Sequence, residues 1–269
     1  TMNFINKIII TFIPFLPKFI VKIFSKKYVA GINHRQVLDV IAKLNNNTES
    51  ATIDILGEHT PINRDCENIT NEYIQLLREI DQENLDCNLS IKPSHIGADI
   101  SYKIVLKNFK KILESANNSN NFIRIDMENS ELTDTTIKLY EDLRSISDKV
   151  GIVFQAYLYR TKRDIKKLNK GSNIRLCKGI YKEENDIAYQ THSDINKNYI
   201  DLLKIAFDKE IYVGIATHDR ELINKCIDLI KKKNITKDKF EFQYLYGVPI
   251  DKTISMYQKK NFQVRSYVP

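Results

Sequence analysis

Ile174-Arg175-Leu176-Cys177-Lys178-Gly179-Ile180-Tyr181 reads as a short apolar strand that ends on two cations and a glycine. Arg175 and Lys178 stand at the end of the run, where a guanidinium and an ammonium suit an anion or an electron-rich ring. Gly179 lets the backbone come close to a ligand. A buried strand with a basic exit loop would read the same way, so the meaning of this stretch depends on whether the pattern recurs.

It recurs along the chain. Strand-like, β-branched runs cover Ala51–Leu56, Asn88–Lys92, Phe122–Met127, Gly151–Leu158, Asn173–Cys177, Ile211–Ala216, Phe240–Tyr244 and Phe262–Tyr267. Between them lie helical patterns at Asn71–Asp81, Tyr102–Ala116, Thr133–Lys149, Thr191–Lys209, Asp219–Lys233 and Pro249–Lys260. Strands alternating with helices imply βαβ units and parallel pairing. Eight such strands in 269 residues predict an α/β fold of the (β/α)8, TIM-type barrel class. The predicted division is an N-terminal helical segment over 1–48 and a barrel over 49–269, with a helix from about His34 to Leu44 before the first strand.

Hydrophobic residues make up 42% and charged residues 28% of the chain, ordinary for a globular protein. The formal net charge of +7 permits nucleic acid, anionic lipid or a phosphate-bearing cofactor without choosing among them. The basic residues are dispersed and no recognition motif occurs, which argues against nucleic acid. Cys66, Cys87, Cys177 and Cys226 form no CxxC pair, so a metal knuckle is not expected and a reducing compartment fits. No closely spaced His/Asp/Glu set suggests a catalytic metal, and GxSxG, Walker and GxGxxG motifs are absent from the sequence.

Pro14, Pro17 and Lys18 interrupt the N-terminal apolar run, which argues against a membrane span. From there Lys18, Lys22 and Lys26 share one helical face and Phe19, Ile20, Ile23 and Phe24 the other. Such a basic amphipathic helix suits either the surface of an anionic membrane or packing on the main domain.

In a barrel of this class function lies at the C-terminal ends of the strands, and those ends are polar here. They carry Asp54 and Glu58, Lys92, Asp126 and Glu128, Gln155, Arg175 and Lys178, Thr217 and His218, Glu241 and Gln243, and Arg265 and Tyr267. Each has a plainer reading: Asp126 as a helix cap, Lys92 as a loop residue, Glu58 as a solvated acid. Gln155 sits in an otherwise apolar strand and needs a partner, in the backbone or in a ligand. Thr217 and His218 precede a helix whose N-terminus could hold phosphate.

Taken together, these motifs resemble the proline dehydrogenase family of flavoenzymes. The resemblance rests on Asp54-Ile55-Leu56-Gly57-Glu58, Ser90-Ile91-Lys92-Pro93-Ser94, Arg124-Ile125-Asp126-Met127-Glu128 and Gln155-Ala156-Tyr157-Leu158-Tyr159-Arg160. It continues in the stretch from Ile174 to Tyr181, in Ala216-Thr217-His218-Asp219, in Glu241-Phe242-Gln243-Tyr244-Leu245-Tyr246-Gly247 and in Val264-Arg265-Ser266-Tyr267-Val268-Pro269. They stand in family order, one per strand.

The resemblance implies a distorted (β/α)8 barrel that oxidises L-proline to Δ1-pyrroline-5-carboxylate with FAD and passes the electrons to a membrane quinone. It implies catalytic roles for Arg175, Lys92 and Asp126, with Lys92 and Asp126 expected to form a pair. It implies cofactor contacts from Gln155, Arg175, Lys178, Gly179, Ile180, Tyr181, Thr217, His218 and Gln243. The substrate pocket would be shaped by Lys92, Asp126, Leu176, Leu245 and Tyr267, with Glu58 as a gate. The implied location is the cytoplasmic, inner face of a bacterial membrane, with the mitochondrial matrix as the alternative. The sequence ends at Pro269, after the eighth strand, whereas the family continues into a helix carrying a carboxylate-gripping arginine pair. The expectation is therefore a barrel without its final helix and with one apolar face uncovered. The alternative function is a non-catalytic barrel that binds a flavin or a phosphate-bearing ligand.

Overall fold

The computed structural model describes residues 29–269. The amphipathic stretch around Lys18, Lys22 and Lys26 lies outside the described residues. The strands are β1 (Ser50–Ile53), β2 (Cys87–Ile91), β3 (Ile123–Ile125), β4 (Val150–Gln155), β5 (Asn173–Cys177), β6 (Tyr212–Ala216), β7 (Phe240–Leu245) and β8 (Val264–Val268). Each pairs in parallel with the next, and β8 pairs with β1 to close the barrel. Around it stand α1 (His34–Asn46), α2 (Asn63–Gln82), α3 (Tyr102–Asn118), α4 (Thr133–Arg144), α5 (Thr161–Lys167), α6 (His192–Asp208), α7 (Arg220–Lys232) and α8 (Asp251–Lys259). The expected α/β barrel is what forms.

The helices follow from their sequence period. In α3 the side chain of Ser101 caps the N-terminus by accepting from Ile104 N, and Val105, Phe109, Ile112, Leu113 and Ala116 recur on one buried face. In α7 Leu222, Ile223, Cys226, Ile227 and Ile230 do the same. These faces cover the outward residues of the strands and make one continuous core.

Three details differ from the sequence reading. Helix α5 was not expected: its seven residues offer only Ile165 as a buried apolar position, too few to show a period. Helix α2 starts at Asn63, well before Asn71, and β4 ends at Gln155, so that Ala156–Leu158 is already exit loop. The third is a correction. No barrel face stands open between β8 and β1, because α1 packs there. His34 and Arg35 of α1 bond to Glu79 and Glu83 at the end of α2, while Gln258 of α8 donates to Asn47 O just past α1. Leu38 and Ile41 are its buried residues. A helix that precedes the first strand thus completes the ring.

Inside the barrel the filling is polar. Bonds between strands that are not neighbours must cross the interior, and they identify the inward residues. Arg124 on β3 reaches Asn173 on β5 at 2.7 Å, and Arg175 on β5 reaches Ser90 on β2, Asp126 after β3 and Gln243 on β7. Side chains alternate across a strand, so Ile174 and Leu176, on either side of Arg175, face the helices.

Candidate active site

Arg175 is the centre of the upper interior. Only 6% exposed, it donates through Nε to Gln243 Oε1 at 2.6 Å and through Nη1 to Ser90 Oγ at 3.0 Å and Asp126 Oδ1 at 2.9 Å. Its guanidinium also lies 4.8 Å from the centre of the Tyr267 ring. Nη2 is buried and has no protein partner. Gln243 is held in turn by donating to Glu241 Oε1 at 2.6 Å. It fits because β6 carries Gly214 opposite: a Cβ there would stand 2.4 Å from Gln243 Nε2. A strand glycine often marks such a close approach.

Lys92 bonds to Asp54 at the end of β1, rather than to Asp126 as expected from the sequence. Asp126 is already engaged by Arg175, by Ser90 and by the Tyr267 hydroxyl, which donates to Oδ2 at 3.1 Å. Burial is the largest influence on Asp54 and raises its pKa to about 6, against the opposing pull of Lys92. Burial also works against the Lys92 ammonium, but Asp54 and Asp126 outweigh it and lift its pKa above the ordinary lysine value. The outcome is an ion pair at the mouth with Asp54 Oδ1 buried and unpartnered.

The exits of β4 and β5 form the opposite wall. Gln155 donates through Nε2 to the carbonyls of Met127 and Glu128, both at 3.3 Å, and its buried Oε1 has no partner. Gly179 has a φ of +114°, and a Cβ there would meet the Tyr157 ring at 2.2 Å, so only glycine lets this turn lie on Tyr157. Lys178 bonds to Asp219 at 2.6 Å, and Asn196 reaches the same carboxylate at 2.9 Å. Asp219 also caps α7 by accepting from the N–H groups of Glu221 and Leu222. Burial would raise the Asp219 pKa, but these donors hold it well below the usual carboxylate range. The α7 N-terminus suggested by sequence as a phosphate seat is therefore already occupied by its own Asp219 carboxylate. His218 bonds to the neighbouring strand exit instead: Nε2 accepts from Leu245 N at 3.0 Å. Burial lowers its pKa, which matches a neutral ring with the proton on Nδ1.

A cavity of about 840 Å³ opens at this mouth. Of the residues expected at the site, Glu58, Lys92, Asp126, Arg175, Lys178, Gly179, Ile180, Tyr181, Thr217, His218, Gln243, Leu245 and Tyr267 line it. Gln155 does not line it and stands behind, tied to the β3 exit. Leu176 is misplaced in the sequence reading: it is fully buried on the helix side of β5, where Tyr199 of α6 donates to its carbonyl at 2.6 Å. Strand alternation forbids it from sharing the interior with Arg175. Ile180 is 88% exposed at the rim.

The family model described as proline dehydrogenase matches residues 37–269. The chain belongs to the proline dehydrogenase family. Proline dehydrogenase 2 of Bacillus subtilis (strain 168) is 33% identical over 249 residues, which cover 92% of this chain and 82% of the relative. Proline dehydrogenase 1 of the same strain is 30% identical over 246 residues, covering 91% and 81%. The crystal structure of proline utilization A (PutA) from Bdellovibrio bacteriovorus inactivated by N-propargylglycine superposes with a TM-score of 0.82 at 22% identity. That match covers 91% of this chain but only 30% of the PutA chain, and it concerns the fold.

Within this member of the proline dehydrogenase family, several site residues escaped individual assignment from the sequence. Asp54 holds Lys92, Ser90 bridges Arg175 and Asp126, Glu241 holds Gln243, and Asp219, itself steadied by Asn196, holds Lys178. The signal for Ser90 was available: it is a polar residue in a fully buried strand at the same parity as Lys92. Among the described residues no helix is long and apolar enough to cross a membrane.

Proposed function

We propose that this barrel oxidises L-proline to Δ1-pyrroline-5-carboxylate with FAD as its cofactor, and that the electrons pass to a membrane quinone. The observation that carries the reading is Arg175 Nη2, a buried donor without an acceptor in the wall of the cavity. Behind that wall Gln155 Oε1 is a buried acceptor without a donor. Leaving such a group unpaired costs about 1–3 kcal/mol, and a ligand seated in the cavity would offset that cost at Arg175. A flavin ring offers both acceptor nitrogens and an N–H, so the residues present fit it. Gly179 allows close backbone approach beside them.

When bound, the cofactor supplies hydride acceptance from the proline carbon beside nitrogen and later release of two electrons. Arg175 keeps a fixed positive charge where negative charge develops, and its bonds to Gln243, Ser90 and Asp126 mean that it need not reorganise during the step. Lys92, held by Asp54, offers an ammonium to the substrate carboxylate. Asp126 and Tyr267 fix the side of the pocket next to Arg175, and Leu245 supplies an apolar wall. Glu58 at the rim acts as the gate. No strong base is required where the amine binds deprotonated. Lys178, Ile180, Tyr181, Thr217 and His218 line the rest of the cavity and would meet the cofactor's chain. A quinone acceptor would place the protein peripherally at the inner face of a bacterial membrane.

The test is a visible spectrum of the protein with FAD, before and after anaerobic addition of L-proline. Flavin bands that bleach with L-proline are expected. Bands that persist oxidised leave a flavin-binding barrel without this reaction, and failure to take up FAD rejects the cofactor assignment.

A further inference from the structure

The connection between β5 and α6 runs from Lys178 to Thr191, well beyond the roughly two to six residues usual for a βα loop. Its two halves are held differently. The later half is stitched to the exit of β4. Tyr159 N donates to Ile187 O at 3.0 Å and Tyr189 N to Tyr157 O at 2.8 Å, and the Tyr159 and Tyr189 rings meet edge to face at 4.5 Å. The earlier half, 179–182, makes no backbone–backbone hydrogen bond among the described residues.

That strap is nevertheless pinned at both ends. At one end Gly179 lies against the Tyr157 ring, too close for any Cβ. At the other, the Glu183 carboxylate accepts both donors of Ser130, N at 2.7 Å and Oγ at 2.6 Å. Ser130 opens the short 3-10 turn Ser130–Leu132 after β3, so the carboxylate meets an N–H that the turn leaves unused. Gln190, in the stitched half, donates to Glu183 O at 3.2 Å and steadies the backbone behind that carboxylate. The bond thus reaches from the β5 exit past β4 to the β3 exit. It carries the strap along the cavity, which Gly179, Ile180 and Tyr181 line.

We propose that Ser130 and Glu183 are positioning residues for the cofactor: their bond holds the strap 179–182 against a flavin seated in the cavity and slows its release. The inference rests on the reading of the cavity as a flavin site. Neither Ser130 nor Glu183 lines the cavity, so both act through the strap. Hydrogen bonds to a carboxylate are of the stronger kind. Freeing one end of the strap returns backbone freedom to every residue in it, and binding must then remove that freedom again. The sequence gives no hint of the pair, because its members leave two different strands.

The experiment turns on Ser130→Pro, which removes both donors. Asn129 before it is extended, with ψ 167°, and the first position of a 3-10 turn suits the fixed φ of proline. Without FAD, trypsin should cut after the exposed Lys182 about tenfold faster than in the natural protein. The thermal midpoint of the flavin-free protein should stay within about 2 °C. FAD release, followed by the return of free-flavin fluorescence, should be about tenfold faster in Ser130→Pro and in Glu183→Ala. Glu183→Gln keeps an oxygen for Ser130 and should fall between Glu183→Ala and the natural protein. Unchanged cleavage after Lys182 overturns the proposal, as does faster cleavage with unchanged FAD release. A midpoint lowered well beyond that range overturns it too, since the pair would then hold the fold rather than the strap. If the natural protein takes up no FAD, the cofactor assignment falls, and cleavage after Lys182 still decides whether the bond holds the strap.

Discussion

The floor and the mouth of this barrel are built from the same kinds of residue and hold them differently. At the floor, Glu241 takes the Arg265 guanidinium at 2.9 and 3.0 Å, and Arg265 also donates to Ala51 O at 2.6 Å. Arg124 bonds to Asn173 at 2.7 Å and lies over the Phe122 ring. Burial pushes the Glu241 pKa up, yet Arg265, Gln243 and Arg124 together pull it below its ordinary value. At the mouth, Arg175 Nη2, Gln155 Oε1 and Asp54 Oδ1 are buried and unpartnered, and burial dominates over Lys92 at Asp54. A satisfied polar network rigidifies a core, and a partly satisfied one carries the desolvation cost of each group left over. Gln243 joins the two regions, touching Glu241 below and Arg175 above.

The comparison is broken most forcefully at Glu241. Glu241→Gln leaves Arg265 without its carboxylate in the interior, and a loss of about 3–5 kcal/mol in denaturant unfolding is expected. A loss under about 1 kcal/mol would mean that the floor is no better held than the mouth. Next comes Gly214→Ala, whose new methyl would crowd Gln243 Nε2. We expect about 1–3 kcal/mol of destabilisation, with weaker flavin binding measured by fluorescence because Gln243 no longer steadies Arg175. Unaltered flavin affinity would uncouple the two layers.

Gln155→Leu sharpens the contrast from the other side. It removes an unsatisfied acceptor but also two long bonds to the carbonyls of Met127 and Glu128, so a net loss of about 1 kcal/mol in thermal unfolding is expected, while flavin affinity falls about tenfold. The smallest effect is at His218. Burial lowers its pKa, and the neutral ring accepts from Leu245 N. Its contribution to stability is therefore complete above the unfolded histidine pKa of about 6.5 and is lost as pH falls through the lower folded value. Melting curves should fall slightly more between pH 7.5 and 5.5 for the natural protein than for His218→Gln. Parallel falls would remove His218 from the account.

Legibility in the sequence followed the strength of the local pattern. Helices with several buried apolar residues in register, such as α3 and α7, were visible, while α5, with Ile165 as its one buried apolar position, was not. The polar strand ends were visible because charged residues stand out against apolar runs, and all but Gln155 and Leu176 of the residues expected to bind cofactor or substrate reach the cavity. Glu241 and Arg265, read from the sequence as strand-end residues of the mouth, lie at the floor instead. Leu176 could have been placed from sequence alone, since neighbours in a strand face opposite ways. The exchange of partners at Lys92 could not: Asp54 and Asp126 are both acids at strand exits adjacent to β2, with nothing local to choose between them.

By itself the sequence determined the alternation of strand and helix, the parity of each strand, and so the list of side chains able to enter the barrel. Those are local properties, set by backbone period and by the face that must avoid water. Only the tertiary structure decided that Asp54 takes Lys92, that Asp219 holds Lys178, that α1 completes the helical ring, and that Glu128 meets Glu58 and His59. Those contacts join residues far apart in the chain. Their partners are chosen by the register of barrel closure and by which neighbour has already been engaged.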